Sequence, residues 1–372
     1  MCLVGLCIAL GAIGCGNGFT GQGASTTPAA TPAAASSVSS GHVLNVVIFG
    51  DSQSVCDTAL CNTGPDAGRR WPDLLAADLA AKYGSHGTGM VPLVYSVGSK
   101  QVNAETWAVN GSWSFDASLG PQQGGGVPGS GLVRLTDGAV ATFAPKQALD
   151  HVNTYCATDS GTGSLSVLID GVAAGSACAQ QTSSVQAHAV ISPAVRLGEH
   201  QVTFTYTGSC LLYAAEGTAG NSGVSVHNIA VGSAAAEWFG APEKGELAFT
   251  DLIPGGTQIA ITDLLTNDPG VGYSVESYGR AMANLLAHEG ASGAEVLAVV
   301  LPVSRIVGIA HFPEYTSALL TVAAGVPVVN IQSSWGTSFD ANSGYWSNDQ
   351  IHPNTVGSLA EYQLIRQGMV LP

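Results

Sequence analysis

Val46-Val47-Ile48-Phe49-Gly50-Asp51-Ser52-Gln53 joins an apolar run to a tight polar turn, and near the other end of the chain stands Asp349-Gln350-Ile351-His352-Pro353. A short run of Val, Ile and Phe closed by glycine reads as a buried strand. A serine just past such a strand is held on a sharp turn with its hydroxyl exposed. An Asp and a His three residues apart on one late loop can both face that hydroxyl. Ser52, His352 and Asp349 thus supply a nucleophile, a base and an orienting acid, the set that serine-based ester cleavage requires. Either half alone is weak, because Gly-Asp-Ser is also ordinary turn chemistry and a loop Asp or His is commonly just solvated. Their order and their positions at element ends carry the pair.

Outward from this stretch the chain alternates between two textures. Val43 to Phe49 reads as a strand and Trp71 to Ala81 as a helix with Pro72 in its first turn, which opens an α/β unit. From about Ser85 the texture changes to glycine-rich turns and short alternating segments. Leu132–Leu135, Ala139–Phe143, Leu165–Ile169, Gln201–Tyr206 and Leu211–Tyr213 read as strands, and Asp170-Gly171 as a hairpin turn. Many short strands without helical period predict a β-sandwich, inserted at 86–222. The α/β texture returns with a strand-like segment at Gly223–Ser233. Strands at Gln258–Ile261, Val296–Val300 and Val326–Asn330 then alternate with helices at Val275–His288, Glu314–Ala324 and Asn354–Gln367. The expectation is an α/β domain of residues 42–85 and 223–372, a parallel sheet with helices on both faces. Sites in such sheets lie beyond the carboxyl ends of the strands, where Ser52, Gly232 and Asn267 fall. No internal repeat is present.

The blocks resemble those of the SGNH (GDSL-type) hydrolase family, in which a strand precedes Gly-Asp-Ser and the last block is Asp-x-x-His. The resemblance implies a flavodoxin-like sheet, with Ser52 as nucleophile, His352 as general base then acid, and Asp349 orienting His352. Leu265-Thr266-Asn267-Asp268 resembles the family's Gly-x-Asn-Asp, with Leu265 in place of the glycine. It implies that the Asn267 amide joins the Ser52 backbone N–H in an oxyanion hole, where each donor stabilises the transition state by about 3 kcal/mol. The third donor is a backbone N–H of the second block. Register from Asn228 puts it at Ser233, whereas residue type favours Gly232, and both stay open. The layout also resembles the peptidoglycan O-acetylesterase branch, in which a sandwich similar to a carbohydrate-binding module interrupts the hydrolase.

Composition bounds the partners. Among 372 residues, 11 Lys+Arg stand against 26 Asp+Glu, for a formal net charge of -15 and no basic run. Nucleic acid and anionic membrane surfaces are therefore excluded as expected partners. Residues 1–15 resemble a bacterial lipoprotein signal, with Cys15 as the lipid acceptor, although the usual positive n-region is missing: the first Lys or Arg is Arg69. Residues 16–41 have the Gly, Ser, Thr, Ala and Pro composition of a flexible tether. Export follows, with a lipid at Cys15 the single membrane attachment expected. In an oxidising compartment Cys56 and Cys61 could be bridged across a short loop. Cys156, Cys178 and Cys210 allow three alternative pairs, and the sequence does not choose. Cys-x4-Cys has no second ligand pair at suitable spacing, and His86, His151, His188, His200, His227, His288 and His311 show no metal-ligand spacing, so no metal or organic cofactor is implied.

Other residues carry weaker readings. Tyr345 and Trp346 are equally compatible with a pocket wall and with core packing. Trp107, Trp113 and Phe115 could stack on a sugar, but tryptophans in a small sandwich are more often buried. Gly124 to Gly131 lacks the Lys and Ser/Thr pair of a phosphate loop and reads as a turn region. The expected activity is hydrolysis of O-acyl, chiefly O-acetyl, esters of a polysaccharide. A broad lipase or arylesterase of the same family and a glycan-binding surface lipoprotein without catalysis are the alternatives, and oligomeric state is left open.

Overall fold

The computed structural model describes residues 42–55, 69–96, 101–103, 106–115, 133–135, 138–158, 163–178, 186–207, 210–240, 250–305 and 312–371. The signal at 1–15 with Cys15, the tether at 16–41, the Cys56–Cys61 pair, Gly124–Gly131 and His311 lie outside them.

Five parallel strands form the central sheet: Val43–Gly50, Gly223–Asn228, Ile259–Asp263, Glu295–Val300 and Val328–Asn330. Numbered along the sequence their spatial order is 2-1-3-4-5, the flavodoxin-like arrangement. Val43–Gly50 is flanked on both sides, with Val46 opposite Val226 and Ile259, and all of its residues after Val43 are buried. Its apolar run therefore shows no alternation, as a strand covered on both faces requires. The order reverses between the first and third strands, which opens a crevice beyond their carboxyl ends.

Helices cover the sheet as two packed pairs. Trp71–Tyr83 lies against Thr355–Gly368, joined by Arg366 Nε donating to Asp78 at 2.7 Å. Val275–Ala291 lies against Phe312–Val322, where the Tyr278 and Tyr315 rings meet edge-on at 5.4 Å. Ser274 and Asn354 cap two of these helices, the Asn354 side chain accepting from the N–H groups of Val356 and Gly357 at 2.9 Å.

Between Trp71–Tyr83 and Gly223–Asn228 the chain builds antiparallel sheets. One runs Val172–Ala177, Ser164–Ile169, Val202–Thr207, Val140–Phe143, Trp107–Asn110 in space. The other runs Gln186–Ile191, His151–Thr158, Cys210–Thr218, Val133–Leu135, Trp113–Phe115, with Val91–Pro92 added to Cys210–Thr218. Trp107, Phe143, Leu165, Phe204, Leu212 and Ala215 lie in a core shared by both sheets. Trp107 is buried, with its ring 5.0 Å from Phe143, so it packs rather than meeting a sugar. Asp170-Gly171 makes the expected hairpin, with φ of 51° and 77° and Ile169 opposite Val172. Cys156 and Cys178 form a disulfide with Cα atoms 6.3 Å apart, which chooses among the three pairings left open.

The second sheet is buried on its other face too. Tyr155, Ala157, Leu211, Tyr213 and Ala214 belong to the core of the parallel-sheet domain. At that junction Glu216 is buried and accepts from Tyr155 Oη at 2.8 Å and Asn153 Nδ2 at 2.9 Å. His227 beside it is wholly buried, its Nδ1 accepting from the Met90 N–H at 3.0 Å. Burial holds this imidazole below the usual histidine range, and the accepting Nδ1 fits the neutral ring.

Two boundaries differ from expectation. The strand expected at Gly223–Ser233 ends at Asn228; Ile229 and Val231 still donate to the first strand, and the chain then turns at Ser233, which takes a positive φ. The strand expected at Leu211–Tyr213 extends over Cys210–Thr218, and its partner His151–Thr158 carries no alternation that would mark it.

Candidate active site

Ser52, Gly232, Ser233 and Asn267 follow the carboxyl ends of the first three strands, and Asp349 and His352 lie on a loop tied to the first of these turns. The first strand ends at Gly50 and a single helical turn, Ser52–Val55, begins at once. Asp51 makes that turn rigid. It is fully buried, one carboxylate oxygen accepts the Gln53 N–H at 2.8 Å, and the other accepts the Thr266 N–H at 3.2 Å. A Cβ at position 50 would lie 2.5 Å from the Ser54 hydroxyl, so only glycine fits where the strand bends into the turn. Ser52 itself is 5% exposed, just past the carboxyl end of the first strand.

The second block follows Gly223–Asn228. Ser233 adopts φ 71° while Gly232 keeps an ordinary φ, so the left-handed conformation falls at the position given by the family register. The third block is locked to it. Asn267 Nδ2 donates to the Ala234 carbonyl at 2.9 Å, and both Asp268 oxygens accept the Ala236 N–H at 3.1 Å. An amide nitrogen carries two N–H groups, so Asn267 keeps a second donor beyond Ala234. Leu265 is buried with no positive φ, so this backbone does not need the glycine it replaces.

His352 and Asp349 meet directly. His352 Nδ1 lies 2.7 Å from Asp349 Oδ2, while Asp349 Oδ1 accepts from the N–H groups of Ile351 and His352 at 2.9 Å and from Ser347 Oγ at 2.6 Å. Burial pushes this carboxyl up, but the bonds from the His352 ring, the His352 N–H, Ser347 and Ile351 outweigh it and hold Asp349 well below the usual carboxylate range. An ionised Asp349 accepts, so Nδ1 of His352 carries a proton, and in the neutral ring that leaves the lone pair on Nε2. That Nε2 is buried and makes no hydrogen bond to Ser52 or any other described residue.

Three groups not foreseen from sequence complete the picture. Gln53 is buried and its Nε2 donates to the Ile351 carbonyl at 2.7 Å, which ties the nucleophile turn to the residue before His352. Asp263, at the end of the third strand, accepts from the Ser54 hydroxyl and from Trp71 Nε1 at 3.2 Å. Glu361 on the last helix is buried with both carboxyl oxygens unpartnered among the described residues, and burial followed by the charges of Asp263 and Asp51 pushes its carboxyl well up. The period-3.6 pattern of that helix carries Glu361 to its inner face, a signal that could have marked it.

Tyr345 and Trp346 fall in one aromatic cluster. The Trp335 ring stacks on Tyr345 at 4.2 Å and meets Trp346 edge-on at 5.7 Å, and Phe339 lies parallel to Trp346 at 6.5 Å. The Ser347 N–H donates to the His352 carbonyl and the Asn354 N–H to Tyr345, both at 2.8 Å, closing the Asp349–His352 loop over this cluster. No group of metal-ligating side chains occurs among the described residues.

No protein-family model matches the sequence, and no curated protein matches it. Solved structures do. A peptidoglycan O-acetylesterase is similar at 17% identity with a TM-score of 0.60, over 88% of this chain and 91% of that one. A GDSL-like lipase from Bacteroides thetaiotaomicron matches at 14% identity and TM-score 0.33, over 38% of this chain and 74% of that one. An acetylxylan esterase from Geobacillus stearothermophilus matches at 12% and 0.32, over 39% and 72%. The first likeness extends over most of both chains and shows a shared fold.

Proposed function

We propose that this protein is an exported serine esterase that removes O-acyl groups, chiefly acetyl, from a polysaccharide. The observation that carries the reading is the Asp349–His352 pair, held on a loop that Gln53 ties to the turn of Ser52, with a buried Nε2 that has no hydrogen-bond partner among the described residues. A serine hydroxyl is too weak an acid to ionise unaided. His352 takes its proton as the oxygen attacks the ester carbonyl, and Asp349 stabilises the imidazolium that forms. The Ser52–His352 hydrogen bond forms when substrate is seated, since catalytic hydrogen bonds are often completed only in the substrate complex.

Charge on the carbonyl oxygen is received by the N–H of Ser52, the remaining Asn267 N–H and the N–H of Ser233, whose positive φ favours it over Gly232. His352 then protonates the departing sugar hydroxyl. Water, activated by the same ring, releases the acid and restores Ser52. No metal or organic cofactor enters these steps.

The fold shared with a peptidoglycan O-acetylesterase supports a glycan-bound ester as substrate. The Cys156–Cys178 disulfide supports an oxidising compartment, in line with a signal at residues 1–15 and a lipid on Cys15. Labelling by a fluorophosphonate tests the nucleophile: the wild type should be modified at Ser52 and a Ser52→Ala variant should not. Acetate release from acetylated glycans, compared with cleavage of long-chain acyl esters, tests the substrate. Faster turnover of long chains would replace the glycan reading with a lipase, and folded protein that resists the label would leave a binding module.

A further inference from the structure

We propose that Arg305 is a specificity-determining residue that receives a carboxylate carried by the polysaccharide beside the acylated sugar; this rests on the esterase reading above. Arg305 follows the fourth strand of the sheet and is built into the loop of the acid and the base. Its N–H donates to the Gln350 carbonyl at 2.8 Å, and its Nη1 donates to Gln350 Oε1 at 2.8 Å. Gln350 lies between Asp349 and His352 and takes φ 62°, a conformation that this pair of bonds helps to hold.

The guanidinium also lies over the Phe339 ring, 5.3 Å from its centroid, and Phe339 in turn lies parallel to Trp346. One N–H is engaged, one face is stacked, and the side chain is exposed. Among the described residues it pairs with no carboxylate: Asp349 is occupied by His352, Ser347 and backbone N–H groups. A planar fork fixed at one edge, with further donors facing solvent, is preorganised for bidentate capture of a carboxylate.

Charge sharpens the point. A chain with a net charge of -15 repels acidic glycans at long range, so a fixed cation on the catalytic loop is where an acidic polymer gains contact. Acidic sugars carry the matching group as a uronate or a lactyl ether.

The test uses the full-length protein with Arg305→Gln and Arg305→Lys. Acetate release is measured from acetylated peptidoglycan fragments and acetylated polygalacturonate, each beside its carboxyl-reduced form, with p-nitrophenyl acetate as the neutral ester. For at least one acidic polymer, Arg305→Gln should lower kcat/KM about tenfold through KM, as loss of one charge-assisted contact predicts. The loss should exceed by about tenfold any change on the carboxyl-reduced polymer and on p-nitrophenyl acetate, which together read whatever the lost Gln350 bond does to the loop, and Arg305→Lys should recover part of the difference.

An equal loss on every substrate would mean that Arg305 only supports the Gln350 loop and would overturn the proposal, as would no change on either acidic polymer. Affinity of Ser52→Ala and of Ser52→Ala/Arg305→Gln for the same polymer pairs gives a readout without turnover. If the wild type cleaved no ester while the arginine still discriminated charged from reduced polymer, the esterase reading would fall and the carboxylate site would stand.

Discussion

The side-chain amide of Gln53 reaches the carbonyl of Ile351, 298 positions away in sequence, with a 2.7 Å hydrogen bond. The residue after the nucleophile is thereby fixed to the residue before the base. Gln53 is 3% exposed and its Oε1 has no partner among the described residues, so among these the amide is held by this bond and by packing. Gln53→Leu keeps the volume and removes the tie. The expected outcome is a fall in kcat of about tenfold to a hundredfold with little change in KM, since a displacement of about 1 Å between reacting groups can cost that much. Steady-state kinetics on a short acyl ester check it, and an unchanged kcat would show that the two loops hold their spacing unaided.

Asp349 accepts four hydrogen bonds, and only one comes from the ring it orients. Asp349→Asn retains the shape but can present an N–H to Nδ1, which favours the tautomer with the proton on Nε2. A fall in kcat of about 10³- to 10⁴-fold is expected. The same group sets an acid limit on stability. Its carboxyl is held below the unfolded value, so its stabilising contribution is present above about pH 4 and is lost as pH falls toward the folded pKa. Loss of loop order on acidification should therefore be smaller in the Asn variant, as measured by Trp fluorescence from Trp335 and Trp346.

Much of this site was legible because its parts sit at element ends. Val46-Val47-Ile48-Phe49 names its strand, Gly50 marks the bend, and Asp349-x-x-His352 is close enough in sequence to pair locally. The same logic fails for the inserted sheets. His151–Thr158 is covered on both faces, so Asn153 and Thr154 lie buried beside Val152 and Tyr155 and no period of two survives. Asn153 is tolerated there because Glu216, 63 residues on, accepts its N–H, and such a partner is invisible to a local reading. Gln53 was missed for the same reason: its role exists only once the last loop has folded against it.

Buried carboxyls predict a fall in stability with rising pH. Burial pushes Asp268 up to about 8, with partial relief from the Ala236 N–H, and Asp263 up to about 6 despite its bonds from Ser54 and Trp71. An unfolded Asp titrates near 4, so between that value and the folded pKa the native chain binds more protons than the unfolded one. Stability contributed by these groups is then complete below about pH 4 and is lost as pH rises toward 8. Thermal melts from pH 5 to 9 should show a declining Tm, and Asp268→Asn should flatten the decline between pH 6 and 8. A slope identical to wild type would remove Asp268 as its source.

Gly357 sets how closely the last helix can approach the His352 loop. A Cβ there would lie 2.3 Å from the Tyr345 carbonyl oxygen, 3.0 Å from Pro353 and 3.2 Å from the Trp335 ring. Backbone and a buried indole cannot both yield, so Gly357→Ala must push the helix start away from the Tyr345–Trp346 segment. That segment accepts the Asn354 N–H and its Nδ2, and Asn354 in turn caps the helix, so the displacement passes directly into the turn after His352. Overpacking of this kind costs about 1–3 kcal/mol, which a domain of this size survives. The expected variant is folded, melts several degrees lower, and loses far more activity than stability. Circular dichroism melts beside kinetics on p-nitrophenyl acetate would show it, whereas full activity at a lowered Tm would mean that the His352 loop moves independently of its helix.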